Sequence, residues 1–135
     1  MGSRQRPAPT DEELEALAPS TFAGSWLGRG TLHVAYTEDA ERHAREAQER
    51  LGLSSKIVVV QHRLSVKELE RISDEIIDAR DKLLQVKARL YAVGPSVQEN
   101  VVEVMVEPLT AAAVALLKER YGDAVHVVEG RVEPA

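Results

Sequence analysis

Leu32-His33-Val34-Ala35-Tyr36 and Val102-Glu103-Val104-Met105-Val106 stand 70 residues apart in the chain. In each stretch the side chains at alternate positions share one apolar face, the period of a half-buried strand. The match extends both ways in the same register. Downstream, Glu49-Arg50-Leu51-Gly52 falls on Glu119-Arg120-Tyr121-Gly122. Upstream, Gly24 falls on Gly94 and the turn pair Arg29-Gly30 on Glu99-Asn100. Past the matched glycines the second copy is shorter, so that Ile57-Val58-Val59-Val60 aligns with Val125-His126-Val127-Val128. Polarity, turn residues and helix ends recur together, which identifies two copies of one supersecondary unit.

The chain has 135 residues, too few for two self-sufficient domains without staples. It has no cysteine, which removes disulfides, thiol catalysis and cysteine-based zinc sites. Aromatic residues make up 4%, so the core is expected to be built from Val, Leu, Ile and Ala. The net charge of −5 argues against nucleic acid as a partner, because phosphate recognition needs a basic face. No apolar run is long enough to span a membrane, so none is expected as a partner. The N-terminus is polar. Secretion is expected if a signal peptide has been removed, and a cytoplasmic location otherwise.

Read along the chain, residues 1–9 form a disordered tail. Thr10-Asp11-Glu12-Glu13 carries a capping box and opens a short helix over 10–18 that ends before Pro19. The first unit, 19–63, reads as strand 21–28, a tight turn at Arg29-Gly30, strand 31–37, helix 38–51 stopped by Gly52, and a β-branched strand from Ile57 to Gln61. That uninterrupted run suits a central strand covered on both faces. Residues 65–90 read as one continuous helix. Ser65 and Glu68 form its capping box, and Leu69, Ile72, Ile76, Ala79, Leu83, Val86 and Leu90 form its stripe, widened by Ile77 and Leu84. It would run roughly 39 Å, enough to join and brace both units. The stripe suits packing on the protein's own sheet, with a coiled-coil dimer as the alternative.

The second unit, 92–130, repeats the order: strand 92–98, turn, strand 101–107, helix 109–121 and strand 124–129, with a flexible tail over 131–135. Its helix, nearly all apolar from Ala111 to Leu117, is expected to be more buried than its counterpart. The fold class is α/β (α+β), two similar ββαβ units with small sheets joined by a long helix.

Residues able to carry chemistry are scattered. His33, His43, His62 and His126 show no metal-binding spacing and read as solvent-facing or locally bonded. Ser54, Ser55, Ser65 and Ser96 lie in no activated motif. Gly28-Arg29-Gly30 lacks the third glycine and following helix of a phosphate loop, and reads as a hairpin turn. The charges of the long helix, Glu75 and Arg71 among them, read as solvated i,i+4 pairs. Trp26, the single tryptophan, reads as core filler, with an interface anchor as the alternative. No cofactor, metal or catalytic residue is expected.

Phe22-Ala23-Gly24-Ser25-Trp26-Leu27, the turn, and Leu32-His33-Val34-Ala35-Tyr36-Thr37 resemble the pro-region of alpha-lytic protease and the streptogrisin-type secreted serine proteases. Those pro-regions read F-A-G-x-W, a glycine turn, then L-x-V-x-x-T. The Val58-to-Ser65 strand and the S-x-x-E-L helix start continue the likeness, as does Asn100 before Val102-Glu103-Val104. The resemblance implies two α/β subdomains and no enzymatic activity. It implies an intramolecular foldase and tight inhibitor whose partner is a chymotrypsin-like serine protease. In such pro-regions the second subdomain adds a sheet edge to the enzyme, and the C-terminal tail lies in the active site like a cleaved product. The protein-binding residues it implies are Val127, Glu129, Gly130, Arg131, Val132, Glu133, Pro134 and Ala135. The alternative is a stand-alone interaction or dimerisation module of the same fold, a monomer or weak homodimer.

Overall fold

A computed structural model describes residues 9–53 and 56–130. The chain divides between Lys67 and Glu68 into two compact units. The tails at 1–8 and 131–135, with Ser54 and Ser55, lie outside the described residues.

The first unit starts with helix α1, Asp11–Leu17. The Thr10 hydroxyl accepts from the Glu13 amide at 3.1 Å and the Glu13 carboxylate accepts from the Thr10 amide, the reciprocal box expected. Strands β1 (Phe22–Gly28) and β2 (Thr31–Tyr36) form an antiparallel hairpin. Arg29 and Gly30 both have positive φ, at 54° and 77°. That is the backbone of the turn type whose twist matches the flanking strands, and it fixes the pairing Gly28–Thr31, Leu27–Leu32, Trp26–His33. Helix α2 (Ala40–Arg50) returns the chain to β3 (Val58–Gln61), which runs parallel to β2. The core joins Leu14, Phe22, Val34, Tyr36, Ala44 and Ala47 on one side of the sheet.

Helix α3 (Val66–Asp78) starts two residues before the division, and the second unit continues with α4 (Arg80–Gln85), β4 (Arg89–Ser96), β5 (Val101–Glu107), α5 (Ala111–Tyr121), a short 3₁₀ turn and β6 (Val125–Glu129). Strand order and sense repeat those of the first unit: β1-β2-β3 and β4-β5-β6, each antiparallel then parallel. Burial along β5 alternates, with Val102, Val104 and Val106 fully buried and Val101, Glu103 and Met105 on the other face.

The mixed α/β class is as expected: two small three-stranded sheets with helix between them. Several finer expectations are corrected. The helix read over 65–90 is two helices that end five residues early. At Ala79 the amide is shared between the Glu75 and Ile76 carbonyls, a local 3₁₀ tightening. At the far end Lys87 adopts a left-handed φ of 61°, while Ala88 N donates to Leu83 O and Lys87 N to Leu84 O. That pair of bonds is a Schellman motif, sealed by the buried Leu83 and Ala88. Leu69, Ile72, Ile76 and Leu83 are buried as the stripe required, but Ile77 and Leu84 are exposed and Leu90 belongs to β4. β3 is an edge strand with Val58 exposed, not a central one, because the hairpin partner β1 already takes the other side of β2. Helix α5 buries only Ala113 and Leu117, no more than the two alanines of α2, since Ala111, Ala112 and Ala115 face outward.

The repeat itself shifts in one place. Gly24 pairs with Ala35, whose match in β5 is Met105, and Met105 pairs with Ala92. Gly24 therefore corresponds to Ala92, not Gly94. The β4–β5 turn spans Val97–Asn100, longer than Arg29-Gly30, and displaces β4 against the sequence match. The register irregularity agrees, falling between Phe22 and Gly24 in β1 and between Leu90 and Ala92 in β4.

Candidate functional site

The sheet face turned away from the buried valines differs most between the units. In the first unit it carries Trp26, which is half-buried and lies outside the core cluster, so the core-filler reading is corrected. The imidazole of His33 stacks on the indole at 5.5 Å and 15°, and that of His62 at 5.5 Å and 9°. Trp26 and His33 meet because they are cross-strand partners in the hairpin. His62 reaches the indole from the end of β3, where its amide donates to the Tyr36 carbonyl. His33 Nδ1 lies 3.0 Å from the Thr31 carbonyl, which places a proton on that nitrogen. A side chain at Gly28 would strike the His33 ring at 2.8 Å. His62 Nδ1 is buried without a hydrogen-bond partner. Burial holds the His62 pKa below the usual 6.5, against the opposing effect of a hydrogen bond to the Ala23 backbone. On the helix side, His43 packs on the Tyr36 ring at 5.2 Å, and burial, with Glu46 nearby, raises the Tyr36 hydroxyl to about 12. His126 is exposed on β6.

In the second unit the same face is hollow. By strand register Trp26 corresponds to Gly94, His33 to Glu103 and Ala35 to Met105. A shallow depression of about 360 Å³ runs along β4, lined by Ala92, Val93, Gly94, Ser96, Glu103 and Met105. The counterpart of His62 is Gly130, whose amide donates to Val106 O at 2.9 Å as that of His62 does to Tyr36 O. There the bulge residue Tyr91 supplies the volume, so close that a Cβ on Gly130 would lie 2.8 Å from the Tyr91 Cβ.

Among the residues expected to bind protein, Val127 is half-buried on β6, paired with Val104, and Glu129 is exposed at the strand's end. Gly130 is buried directly after it. β6 is an edge of its sheet. Arg131, Val132, Glu133, Pro134 and Ala135 lie outside the described residues.

A second polar cluster joins α3 to α5 within the second unit. Tyr121 donates to Glu75 Oε1 at 3.0 Å and Arg71 to Oε2 at 2.7 Å, with Arg120 3.6 Å from Oε1. The Tyr121 hydrogen bond, then that from Arg71, holds the Glu75 carboxyl below the usual range, while burial and then Glu75 push the Tyr121 hydroxyl up. Beside it an apolar hollow of about 200 Å³ is lined by Ala79, Leu83, Leu116 and Leu117.

None of these arrangements brings a nucleophile, base and oxyanion donors together. Among the described residues there is no group of three or more side chains able to hold a metal. No described helix is long and apolar enough to cross a membrane. No family model and no curated protein matches the chain. Ser65 stands directly before α3, as a cap would, and Ser96 closes β4 on the rim of the hollow. Sequence reasoning missed the Trp26–His33–His62 stack and the hollow that mirrors it. The hairpin turn could have exposed the first pair, since counting outward from Arg29-Gly30 sets Trp26 opposite His33.

Proposed function

We propose that the chain is a non-enzymatic protein-binding module of the protease pro-region type, acting as foldase or inhibitor of a chymotrypsin-like serine protease. One observation carries the reading: β6 is an edge strand of its sheet, with Val127 half-buried and Glu129 exposed. An edge strand offers backbone donors and acceptors to a partner's sheet, and a segment continuing from it can follow the partner's surface into a cleft. The sequence resemblance around Phe22 to Thr37 points to the same class. The test is inhibition of a streptogrisin-like protease by the full chain and by a chain lacking residues 131–135. The full chain inhibits at micromolar concentration, and the truncation weakens inhibition while leaving the circular dichroism spectrum unchanged. Absence of inhibition by the full chain rejects the protease partner.

A second reading, a stand-alone dimerisation module, is favoured by Ile77 and Leu84, which are 39% and 56% exposed one heptad apart on α3 and α4. Sedimentation of the full chain beside its Ile77→Lys variant tests it. A dimer that the variant dissolves supports that reading.

A further inference from the structure

We infer that the hollow on β4 and β5 is a receptor for an aromatic side chain of a protein partner, with a basic residue next to that side chain. This rests on the protein-binding reading but not on the partner being a protease. The first unit shows what the site accepts. On an equivalent sheet, at the equivalent register, the indole of Trp26 lies over the strand pair and stacks on His33. The second unit keeps the strand pair and the bulge, but Gly94 stands for Trp26 and provides no side chain. The space is open: a Cβ on Gly94 would meet nothing within 4 Å.

The lining fits an aromatic ring. Ala92 and Gly94 leave the floor flat, and Met105 offers a thioether, which makes favourable contacts with ring edges. An aromatic side chain brings a large apolar area at small conformational cost, the usual anchor of a protein interface. The flank sets the charge. Where the first unit has the imidazole of His33 beside the indole, the second has the carboxylate of Glu103. The Glu103 carboxylate would therefore meet a lysine or arginine next to the aromatic residue, and would repel an acidic one.

The isotope-labelled full chain is titrated with three capped tripeptides: tryptophan between two lysines, alanine between two lysines, and tryptophan between two glutamates. The lysine–tryptophan peptide is expected to shift the amides of Gly94, Ser96, Glu103 and Met105 saturably. The alanine peptide is expected to shift none of them. Glu103→Gln should weaken the lysine–tryptophan peptide roughly two- to fivefold, the scale of an exposed ion pair. Gly94→Trp should fill the hollow from within and abolish binding. In a Trp26→Phe background, the introduced indole should give a blue-shifted emission that resists iodide quenching, a readout needing no ligand and no partner. Shifts that map elsewhere, equal response to the alanine peptide, or a fully solvent-quenched introduced indole would each overturn the assignment. Inhibition of a protease without peptide binding in the hollow rejects this site alone. Peptide binding there without inhibition rejects the protease and keeps the site.

Discussion

The two units share strand order, strand sense, a bulge at the same register and a helix end at matched glycines, yet they fill the same sheet face from different positions. In the first unit, the bulge residue is Ala23, β2 carries Ala35, and the bulk comes from Trp26 on β1 and His62 after β3. In the second, the bulge residue is Tyr91, β5 carries Met105, and the positions matching Trp26 and His62 are glycine. The topology is thus tied to the buried valine face, where Val34 and Val104 occupy the same place and neither is exposed. The opposite face exchanges volume between positions, from Trp26 and His62 in one unit to Tyr91 and Met105 in the other.

The largest effects should come from the helices each unit does not share with the other. Leu14 on α1 and Leu83 on α4 are both fully buried. Leu14→Ala and Leu83→Ala should each cost about 2–5 kcal/mol, the transfer loss plus the residual cavity. Urea unfolding measures both, with Trp26 emission reporting the first unit, which holds the single tryptophan. A cost below about 1 kcal/mol at either site would show that its helix is not part of the cooperative core.

Next comes the exchanged pair. Gly130→Ala forces a methyl group against the Cβ of Tyr91 and should cost about 1–3 kcal/mol as overpacking. The double variant Gly130→Ala with Tyr91→Gly, which removes the Cβ that the new methyl would strike, should lose less than the sum of its parts. Strict additivity in a double-mutant cycle would break the volume-exchange account.

On this face of the first unit, His62 carries a pH response. The His62 pKa is depressed in the folded state, chiefly by burial, so the folded state disfavours its protonation. Above the unfolded value of 6.5 the imidazole is neutral in both states and there is no penalty. As pH falls below that value the unfolded chain takes up the proton first, and stability declines until the folded pKa is passed. The urea midpoint followed by Trp26 emission should therefore fall between pH 7 and pH 5, and His62→Asn should flatten the decline. The second unit has Gly130 at this place and should show no equivalent term.

The sequence disclosed the valine face and both ββαβ units because alternation, capping boxes and turn pairs are local signals. Leu69, Ile72, Ile76 and Leu83 lie buried where their spacing put them. What it hid depended on backbone choices that residue type does not announce. Lys87 takes a left-handed conformation usually held by glycine and ends α4 early. The longer turn at Val97–Asn100 moved β4 against its sequence match and so concealed that Gly94 stands for Trp26. His62 could not be placed on the indole from sequence, because the register of a parallel strand after a helix is set by packing rather than by a turn. That β3 and β6 are edge strands was not legible, because a β-branched run reads the same in an edge strand as in a central one.

The smallest expected effect lies in the polar cluster between α3 and α5. Glu75 receives the Tyr121 hydroxyl and the Arg71 guanidinium, and its carboxyl is held low first by Tyr121 and then by Arg71. Tyr121→Phe deletes the leading contribution and leaves the ring, so the Glu75 pKa should rise toward the ordinary carboxylate range, with little change in melting temperature. Arg71→Gln should produce a smaller rise, because the hydrogen bond from Tyr121 remains. A carbon-detected titration of the Glu75 carboxyl in the two variants separates the contributions. If Arg71→Gln moves Glu75 further than Tyr121→Phe does, the cluster is an ordinary i,i+4 ion pair on α3, and Tyr121 is not what ties α5 to that helix.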